Sequence, residues 1–435
     1  MWRNWAGDQH CAPVEQVRAR TREDVVAAVR RAADAERTVR AVGAGHSFTD
    51  IALTNGHQVS LDAMDAVLDA DRDSGLVRVE AGITIHELSR RLWDLGLSLE
   101  NLGDIDVQSI AGAISTATHG TGAKLRNIGA NVVAVELVAG DGSVVELDES
   151  DLDGLRAARA SLGALGIITA VTVRAVPAFV LEGVDRPEPL DDVLASLDER
   201  VEGNDHFEFF FFPHADVALT RTNNRVDHAP VPRGRAKAWF EDVLVNNHVF
   251  HAFCLAGRAV PSQIPRINRT ITRVAGTTKR LDRSYEIFAS PRLVRFTEME
   301  YGIPRERVVE AIAGVRELLA SGQFDVPFPI ECRVVAPDDA HLSTASGRET
   351  AYVAVHMFKG MAWEPYFRAV EALMDGFEGR PHWGKRHFQT AETLRPRYPG
   401  WDAFQAVRAR LDPDGRFSNP YTDRVLGRVD APVAA

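Results

Sequence analysis

Two stretches of small residues constrain this chain more than any other feature of its sequence. Residues 40–50 read RAVGAGHSFTD, and residues 109–122 read SIAGAISTATHGTG. Glycine allows turns with positive φ and a close approach of main-chain N–H groups to a ligand. Successive N–H groups form anion-binding concavities, and the hydroxyls of the second stretch can add hydrogen bonds. Together the two stretches predict a cradle for a large, flat cofactor that carries a diphosphate.

The common nucleotide-binding motifs do not fit these stretches. A dinucleotide-binding fold of the Rossmann type requires Gly-x-Gly-x-x-Gly, and Phe48 occupies the position of the third glycine. The sequence contains no Gly-x-x-x-x-Gly-Lys-Ser/Thr loop, which excludes the usual P-loop nucleotide hydrolase. The pattern therefore requires another class of cofactor-binding fold.

The two stretches closely resemble the FAD-binding domain of the vanillyl-alcohol oxidase (PCMH-type) flavoproteins. Within that group the chain is most similar to the aldonolactone oxidoreductases, which are L-gulono-1,4-lactone and D-arabinono-1,4-lactone oxidases or dehydrogenases, with alditol oxidases as cousins. The resemblance extends over essentially the whole chain, because the motifs around Glu331 and Lys385 also match. It implies an α+β fold with a PCMH-type FAD-binding domain and a cap domain in which helices cover an antiparallel sheet.

The resemblance also assigns residues to the cofactor. His46 matches the histidine that binds FAD covalently through the 8α-methyl group, although some relatives lack this histidine and hold FAD without a bond. Histidine suits this role because its side chain is readily neutral and nucleophilic near pH 7. The other residues that the resemblance assigns to FAD binding are Gly43, Ala44, Gly45, Ser47, Gly103, Asp104, Ser109, Gly112, Ala113, Ser115, Thr116, His119, Gly120, Gly163, Gly166, Ile168 and Asn419.

Several of these residues also have a purely structural interpretation. Gly163, Gly166 and Ile168 could form a tight packing corner. His119 could anchor the second stretch, and Asn419, which lies with Tyr421 in the closing motif, could serve packing. His46 could be a loop histidine that bonds to the backbone.

Length, charge and cysteine content limit the remaining classes. A chain of 435 residues favours two domains, and a net charge of −11 argues against nonspecific binding of nucleic acid. Three widely spaced cysteines, Cys11, Cys254 and Cys332, favour a reducing compartment. The start of the sequence lacks the apolar core of a signal peptide, and no apolar run approaches the ~20 residues that span a bilayer. We therefore expect a cytoplasmic protein, or at most one peripheral to a membrane.

A shift in composition after Pro177 and the resemblance predict three segments. They are the FAD-binding domain at 1–178, the substrate (cap) domain at 179–381, and a segment at 382–435 that returns to the FAD-binding domain. The elements expected in the first segment are strands at 14–19 and 76–81, helices capped by Thr21 and Thr84, and a hairpin of 132–138 with 144–147. Those expected in the second are strands at 207–212, 295–301 and 328–335, and helices at about 305–320 and 363–378.

Glu331 and Arg333 are the first two candidate catalytic residues. They are two positions apart on a predicted strand, so their side chains leave the same face. Such a pair is usually an ion pair on a solvated face, but here Ile330, Val334 and Val335 surround it. The resemblance places a Glu-x-Arg pair in the active site. Arg333 could stabilise charge that develops on the substrate oxygen, and Glu331 could position substrate hydroxyls and orient Arg333.

Lys385, in the sequence His382-Trp383-Gly384-Lys385, is the third candidate. A lysine after such a corner is commonly a solvated surface residue, but the resemblance places it beside the flavin. Burial next to Arg333 would lower its pKa. Lys385 could then accept the hydroxyl proton, or act as a cation that favours negative charge nearby, and the sequence does not separate these roles.

The sequence also bears on whether the protein binds a metal ion and whether its flavin reacts with O₂. No His, Asp or Glu cluster has the spacing of metal ligands, and His10 next to Cys11 is no exception, so no metal site is predicted. Gly103 matches a family position that lies over the flavin, where a methyl group tends to block O₂ and glycine leaves the approach open. Gly103 therefore favours an oxidase, although it could be a simple turn glycine.

The resemblance implies FAD-dependent oxidation of a sugar-1,4-lactone, of the L-gulono or D-arabinono type, at the C2 hydroxyl. Hydride passes to flavin N5, and the electrons go to O₂ or another redox acceptor. The alternative within the same class is an alditol oxidase that acts on an open-chain polyol of the xylitol or sorbitol type. A flavin-binding protein without catalysis is a different class, and it is disfavoured because Glu331, Arg333 and Lys385 are all present.

Overall fold

The computed structural model describes residues 1–429, so residues 430–435 of the predicted third segment lie outside the described residues. The strands of the first part of the chain are β1 (Trp2–Arg3), β2 (His10–Cys11), β3 (Glu15–Arg18), β4 (Val39–Val42), β5 (His57–Ser60), β6 (Val67–Asp71), β7 (Leu76–Glu80), β8 (Leu97–Ser98), β9 (Val132–Val138), β10 (Val144–Leu147), β11 (Ile167–Arg174) and β12 (Val176–Pro177). The helices are α1 (Arg22–Asp34), α2 (Ile85–Asp94), α3 (Ile110–Ser115) and α4 (Leu152–Ala158), with short 3₁₀ turns at Asp50–Ala52 and Ile128–Asn131.

These strands form two main sheets around one core. Strands β3, β5 and β4 form a parallel sheet in the order β3-β5-β4, and five antiparallel strands follow the order β10-β9-β11-β7-β6. The predicted strands at 14–19 and 76–81 and the predicted hairpin of 132–138 with 144–147 are confirmed. Thr21 is the N-cap residue of α1 and forms a capping box with Asp24, in which each side chain accepts a hydrogen bond from the other residue's backbone N–H. Helix α1 then buries Val25, Ala28, Val29 and Ala32 against this core.

The second part of the chain builds a larger antiparallel sheet. Its strands are β13 (Val180–Pro189), β14 (His206–Phe211), β15 (Val217–Val226), β16 (Thr278–Arg283), β17 (Phe296–Pro304), β18 (Ile330–Val335), β19 (Thr350–Phe358) and β20 (Arg380–Pro381). They follow the order β16-β13-β15-β14-β18-β19-β17-β20. The predicted strands at 207–212, 295–301 and 328–335 are therefore confirmed with small shifts. The third begins only at Ile330, after Pro329, which has no N–H to donate to a ladder.

Four helices share a core with one face of this sheet: α5 (Leu190–Ala195), α6 (Leu197–Glu202), α11 (Val308–Ala320) and α12 (Glu364–Asp375). The other helices of this part are α7 (Arg235–Ala238), α8 (Phe250–Ala259), α9 (Ile264–Val274) and α10 (Ser284–Phe288). A π-helical segment, Trp239–Val249, joins α7 to α8, and 3₁₀ turns lie at Pro261–Gln263 and Arg305–Arg307. Helices α11 and α12, which the sequence predicts, share a core with Phe207, Phe209 and Ile330 of the sheet.

The end of the described chain packs back on the first core. Its elements are α13 (Ala391–Leu394), a 3₁₀ turn (Arg395–Arg397), α14 (Trp401–Leu411) and α15 (Pro420–Leu426). Trp383, Phe404 and Tyr421 are fully buried in the same cluster as Val29 and Val79 of the N-terminal sheets. The exact boundaries at 178 and 381 stay a prediction. Among the described residues, no helix combines the length and apolar character that crossing a bilayer requires.

Candidate active site

The two small-residue stretches lie side by side and line one cavity of about 400 Å³. A Cβ atom added at Gly43 would lie 2.5 Å from Ser109 Oγ, so only glycine lets the first stretch approach the second. Gly45 has φ +70°, a left-handed conformation that side chains rarely adopt. The predicted cofactor residues that line this cavity are Gly43, Ala44, Gly45, His46, Ser47, Ser109, Gly112, Ser115, Thr116, Gly163, Gly166 and Ile168.

Several lining residues were not expected from the sequence. They include Trp2, Asp62, Gly82, Thr84 and Gln108. Gly82 follows the predicted strand 76–81, and a Cβ there would lie 1.7 Å from the Leu61 carbonyl oxygen. A glycine at the end of a strand is a usable signal for close backbone approach, so this part of the lining could have been predicted.

The remaining predicted cofactor residues, which are Gly103, Asp104, Ala113, His119, Gly120 and Asn419, lie outside that lining. Asn419 Nδ2 donates to the carbonyl oxygens of Asp50, Ile51 and Leu53 at 3.0, 3.1 and 2.9 Å. Asn419 thus holds the chain that follows the first stretch, which agrees with its packing interpretation.

His119 also has a structural position. Its ring stacks on Tyr352 with centroids 3.5 Å apart, and Nδ1 lies 2.9 Å from the Gly120 carbonyl oxygen. Its Nε2 lies 3.3 Å from Glu300 on β17. The side chain therefore ties the second stretch to the large sheet, which agrees with the anchor interpretation.

His46 faces the cavity as a neutral imidazole. Its half-buried ring stacks on Trp5, with centroids 5.2 Å apart and planes 24° apart. Burial, together with the positive charges of Arg295 and Lys385, lowers the pKa of His46 to about 4. A neutral ring nitrogen can act as a nucleophile toward an electrophilic carbon.

Arg333 lies at the centre of a cluster of three carboxylates. Its Nε donates to Glu208 at 2.8 Å, and its Nη2 pairs with Asp104. Glu331 Oε1 lies 2.5 Å from the same Nε. Because that N–H already points to Glu208, Glu331 Oε1 accepts no hydrogen bond from the residues described, 1–429. Glu331 Oε1 is thus a buried carboxyl oxygen that lies against the guanidinium without a hydrogen-bond donor of its own.

Burial and charge set the protonation of this cluster. Burial raises the pKa of Glu331 well above its usual value; Arg333 opposes this change, and Asp104 and Glu208 add to it. For Asp104 the balance is reversed, because Arg333 and Arg292 outweigh the burial and lower its pKa. Glu331 is therefore the carboxyl of this group that most readily keeps a proton.

Lys385 lies among carboxylates and not beside Arg333. Its Nζ pairs with Glu298, and Glu300 lies 3.9 Å away. Burial alone would lower the pKa of Lys385, but Glu298 and Glu300 outweigh it, so the pKa is raised. The prediction that burial lowers this pKa is therefore wrong, because the neighbours that decide it are anions contributed by β17.

The two clusters share one buried region. Glu331 is among the charges that raise the pKa of Lys385, and Glu300 is among those that raise the pKa of Arg333. Lys385 in turn acts on His46. The structure therefore brings the three predicted catalytic residues together. The charge of one of them, Lys385, also lowers the pKa of His46 in the cofactor cradle.

The chain also matches known protein families. The family described as D-arabinono-1,4-lactone oxidase matches residues 171–425, and the FAD binding domain matches residues 15–148. The chain belongs to the D-arabinono-1,4-lactone oxidase family. It is 51% identical over 429 residues to an L-gulono-1,4-lactone dehydrogenase of Mycobacterium tuberculosis, an alignment that covers 98% of this chain and 99% of the relative.

More distant proteins share the same full length. An L-gulonolactone oxidase of Bos taurus is 31% identical, with 98% of each chain covered, and an alditol oxidase of a Streptomyces species is 30% identical, with 97% and 98% covered. The fold matches the crystal structure of a cholesterol oxidase from Brevibacterium sterolicum with a TM-score of 0.82 at 17% identity, over 98% of this chain and 96% of that one. These findings confirm the predicted family, the α+β fold class and the assignment as an FAD-dependent oxidoreductase.

Two groups of side chains in this family member have the composition of metal ligands. They are His119, Glu300 and His382, and Asp104, Glu208 and Glu331, with ligand atoms within 4.8 Å of one another in each group. Arg333 pairs with all three members of the second group, and Lys385 lies 3.9 Å from Glu300 of the first. The absence of a resident metal stays a prediction.

Proposed function

We propose that this chain oxidises the C2 hydroxyl of a sugar-1,4-lactone to a ketone, using FAD as the oxidant. The observation that carries this proposal is the buried grouping of Glu331, Arg333 and Lys385 next to the His46 side of the cofactor cradle. The substrate class is supported by full-length relatives that are named for L-gulono-1,4-lactone and L-gulonolactone. The cofactor is supported by the matching FAD binding domain.

The residues of the cradle fit FAD. Gly43, Gly45 and Gly163 present backbone where a side chain would be strained or would clash, and His46 is neutral at the edge of the cavity. We propose that His46 holds the flavin by a covalent bond to its 8α-carbon. When bound, FAD supplies the two-electron chemistry by accepting hydride from the substrate carbon, and the protein supplies position and electrostatics.

We propose complementary roles for Arg333 and Glu331. Arg333 is a permanent cation whose pKa the surrounding carboxylates raise further, so it can stabilise negative charge that grows on the substrate oxygen. Glu331 has a raised pKa, so a protonated carboxyl there can donate a hydrogen bond to a ring hydroxyl. Both groups are fixed on β18, and Glu208 on β14 and Asp104 hold the guanidinium in place.

We propose that Lys385 acts as a fixed positive charge and not as a base. Its pKa is raised, so it carries its proton over the physiological range, and Glu298 and Glu300 hold it in place. A cation in this position favours negative charge that develops on the substrate or the cofactor during the reaction.

We propose O₂ as an electron acceptor for this enzyme and the cytoplasm as its location. Gly103 is buried and carries no side chain to obstruct an approach beside the second stretch. The relatives bear the names of both dehydrogenases and oxidases, so the acceptor is tested by comparing O₂ with an artificial dye. The reducing location is supported by Cys11, Cys254 and Cys332, which are all free and buried.

Steady-state turnover with a dye acceptor tests the substrate. We expect turnover of L-gulono-1,4-lactone or D-arabinono-1,4-lactone and much weaker turnover of xylitol. The second candidate, an alditol oxidase, is kept because a Streptomyces enzyme of that name aligns with 97% of this chain. Faster turnover of xylitol than of both lactones would replace the lactone proposal, and turnover of neither class would contradict both.

A further inference from the structure

A short N-terminal strap lies against the His46 side of the cofactor cradle. The strap consists of residues 2–11, in which β1 and β2 pair antiparallel. Trp2 lines the cavity, and Trp5 stacks on the His46 ring with centroids 5.2 Å apart and planes 24° apart. The strap takes no part in the chemistry proposed above, although it contacts the residue that would bind FAD.

Hydrogen bonds from the strap hold the backbone on both sides of His46. The Trp5 N–H donates to the carbonyl oxygen of Gly45 at 2.7 Å, and Asn4 Nδ2 donates to the carbonyl oxygen of Ser47 at 3.0 Å. Asn4 is buried, and its Oδ1 accepts hydrogen bonds from three backbone N–H groups of the turn that follows it, at 2.8, 3.1 and 3.1 Å. Trp5 is therefore fixed in position relative to both neighbours of His46.

The His46 ring itself is held by packing. Among residues 1–429 its ring nitrogens take part in no hydrogen bond and no ion pair. The torsion that turns an imidazole about its Cβ–Cγ bond has broad minima, so the backbone alone does not fix the plane of the ring. The nearly parallel indole of Trp5 restricts that rotation.

The start of β17 contacts the same indole. The guanidinium of Arg295 lies over the Trp5 ring, with Cζ 4.3 Å from its centroid, and Nη1 donates to the Trp5 carbonyl oxygen. Phe296 packs edge-on against the ring with centroids 5.5 Å apart. Trp5 thus has contacts on the large sheet as well as on the cradle, which leave its ring little freedom to move away from His46.

We propose that Trp5 is a positioning residue that orients the His46 ring for its bond to FAD. The inference rests on the covalent bond proposed above. His46 forms a C–N bond from a ring nitrogen to the 8α-carbon, while one C–H bond of the 8α-methyl group and the imidazole N–H bond break. The two electrons and two protons released stay with the flavin, which is reduced, and O₂ reoxidises it with formation of H₂O₂.

This bond depends on the orientation of the ring. The lone pair of a neutral imidazole nitrogen lies in the ring plane, so the plane has to be turned until the nitrogen points at the carbon. A misplacement of about 1 Å can cost about 10²-fold in the rate of a reaction between bound groups. A flat ring stacked on His46 supplies this orientation without taking up either nitrogen in a hydrogen bond.

Two other roles for Trp5 predict different behaviour. If Trp5 served only as apolar packing, an aliphatic side chain of similar bulk would replace it. If Trp5 held the cofactor directly, its loss would loosen FAD even without His46. The cavity lining within residues 1–429 includes His46 and Trp2 but not Trp5, which favours an action through His46.

The rate of covalent attachment tests the proposal. The full-length protein is produced under riboflavin limitation, incubated with excess FAD and acid-precipitated at intervals, and the flavin absorbance of the pellet gives the bound fraction. Trp5→Phe keeps an aromatic face and should attach FAD within about threefold of the wild-type rate. Trp5→Leu keeps apolar bulk without a flat ring and should be slower by roughly tenfold or more.

Trp93→Leu is the matched control. Trp93 is also half-buried, packs edge-on against Tyr285 with centroids 6.0 Å apart, and lies under Arg283 at 5.6 Å. It lies outside the cavity lining and away from His46. Its variant should attach FAD at the wild-type rate.

The His46→Ala background separates positioning from the other roles. Trp5→Leu combined with His46→Ala should release FAD within about twofold of the rate of His46→Ala alone, because Trp5 acts through the missing ring. Faster release would assign Trp5 to direct contact with the cofactor, and failure to bind FAD would assign it to the fold. Either result would overturn the proposal.

The attachment rates also distinguish this inference from the bond on which it rests. Equal rates for Trp5→Phe and Trp5→Leu, whether both fast or both slow, would overturn the role of Trp5 while the wild-type protein still binds FAD covalently. A colourless pellet from fully loaded wild-type protein would overturn the bond at His46 and the inference with it. Slow attachment in Trp5→Leu alone, with rescue by Trp5→Phe, supports the positioning role.

Discussion

The ammonium group of Lys385 pairs with Glu298, and Glu300 lies 3.9 Å from the same nitrogen. The side chains of Glu298 and Glu300 are 6% and 5% exposed, whereas the Lys385 side chain is 20% exposed. Burial penalises an ammonium ion, but an opposite charge within about 4–6 Å stabilises it. Two carboxylates outweigh that penalty here, so the raised pKa keeps Lys385 protonated. Glu298, whose own pKa falls to about 2 because Lys385 and His356 outweigh its burial, stays ionised beside it.

Glu298→Gln should move the ionisation of Lys385 into the accessible pH range. Removing one carboxylate lowers the pKa of Lys385, by about one unit for each 1.36 kcal/mol of lost attraction. The rate of flavin reduction at saturating lactone should then fall as the pH rises, at a lower pH than in the wild type, because the proton is lost sooner. Stopped-flow measurements between about pH 6 and 10 record this fall in the rate of flavin reduction.

The matched control for this variant is Glu371→Gln. Glu371 is also a buried carboxylate, but it accepts hydrogen bonds from Tyr301 at 2.5 Å and from the Phe388 N–H at 2.8 Å and contacts no lysine. Its pH profile should match that of the wild type. If Glu298→Gln also leaves the profile in place, Glu298 does not control the charge of Lys385.

Arg333→Ala should lower the rate of flavin reduction by a far larger factor than it lowers the affinity for the lactone. Arg333 acts on charge that grows in the transition state, and loss of one such donor typically costs about 10²–10³ in rate. Arg292→Ala is the control, because Arg292 pairs with the same Asp104 at 2.5 Å but, within residues 1–429, forms no ion pair with Glu208 or Glu331. Reduction of Arg333→Ala by lactone at the wild-type rate in a stopped-flow experiment would exclude the role proposed for Arg333.

Glu331→Gln should keep much more activity than Glu331→Ala. The pKa of Glu331 is raised, so the working form is a neutral carboxyl, which an amide of the same shape imitates. The alanine variant loses the hydrogen bond to the substrate and should lose about 10²-fold in kcat/KM, or ~2.7 kcal/mol of transition-state binding. Steady-state kinetics of both variants decide the point, and equal losses would indicate that an ionised Glu331 is required.

His46 should be found covalently bound to FAD. Because its pKa is lowered to about 4, the ring is neutral at higher pH, and attachment should proceed at a similar rate from about pH 5 to 8 and slow as the pH falls through 4. Acid-precipitated protein should stay yellow, and the peptide that contains His46 should carry the added mass of FAD. A colourless precipitate from fully loaded enzyme would contradict the bond. His46→Ala should fold and release FAD on precipitation.

Local sequence patterns were sufficient for the parts of the site that lie along one strand or loop. The alternation of Glu331 and Arg333 on a strand and the glycines around His46 are properties of neighbouring residues, so they could be read from the sequence. The residues that pair with them lie on other strands and could not be read from the sequence. Strand β18 lies between β14 and β19, and β17 lies beyond β19, an order that periodicity does not specify.

This topology explains both the residues that were missed and the error about Lys385. Glu208 was overlooked because it is the one acidic residue in an apolar strand, FEFFFF, although an acid in that setting is itself a signal of a buried partner. Glu298 and Glu300 alternate on β17 as Glu331 and Arg333 do on β18, but only the fold shows that they face Lys385. Without these anions, burial would have lowered the lysine pKa, as the sequence led us to expect.

Gly103→Ala should separate the reaction with oxygen from the reaction with lactone. A Cβ added at Gly103 would lie 3.1 Å from the His119 carbonyl oxygen and 3.8 Å from Thr118 Cγ2, so the backbone has to yield by only a few tenths of an ångström. If this buried glycine keeps the path of O₂ open, the methyl group should slow the second-order reoxidation of the flavin by roughly tenfold, which is ~1.4 kcal/mol of barrier. Lactone-driven reduction should change by less than about twofold.

Stopped-flow measurement of the two half-reactions gives both rates in one preparation. Gly376→Ala is the matched control, because its Cβ would meet the Leu373 carbonyl oxygen at 3.3 Å in the cap domain, away from the cradle. That variant should change neither half-reaction. Equal slowing of reduction and reoxidation in Gly103→Ala would show a general packing fault, and unchanged reoxidation would show that O₂ does not pass Gly103. Only selective slowing of reoxidation supports its role as the opening for oxygen.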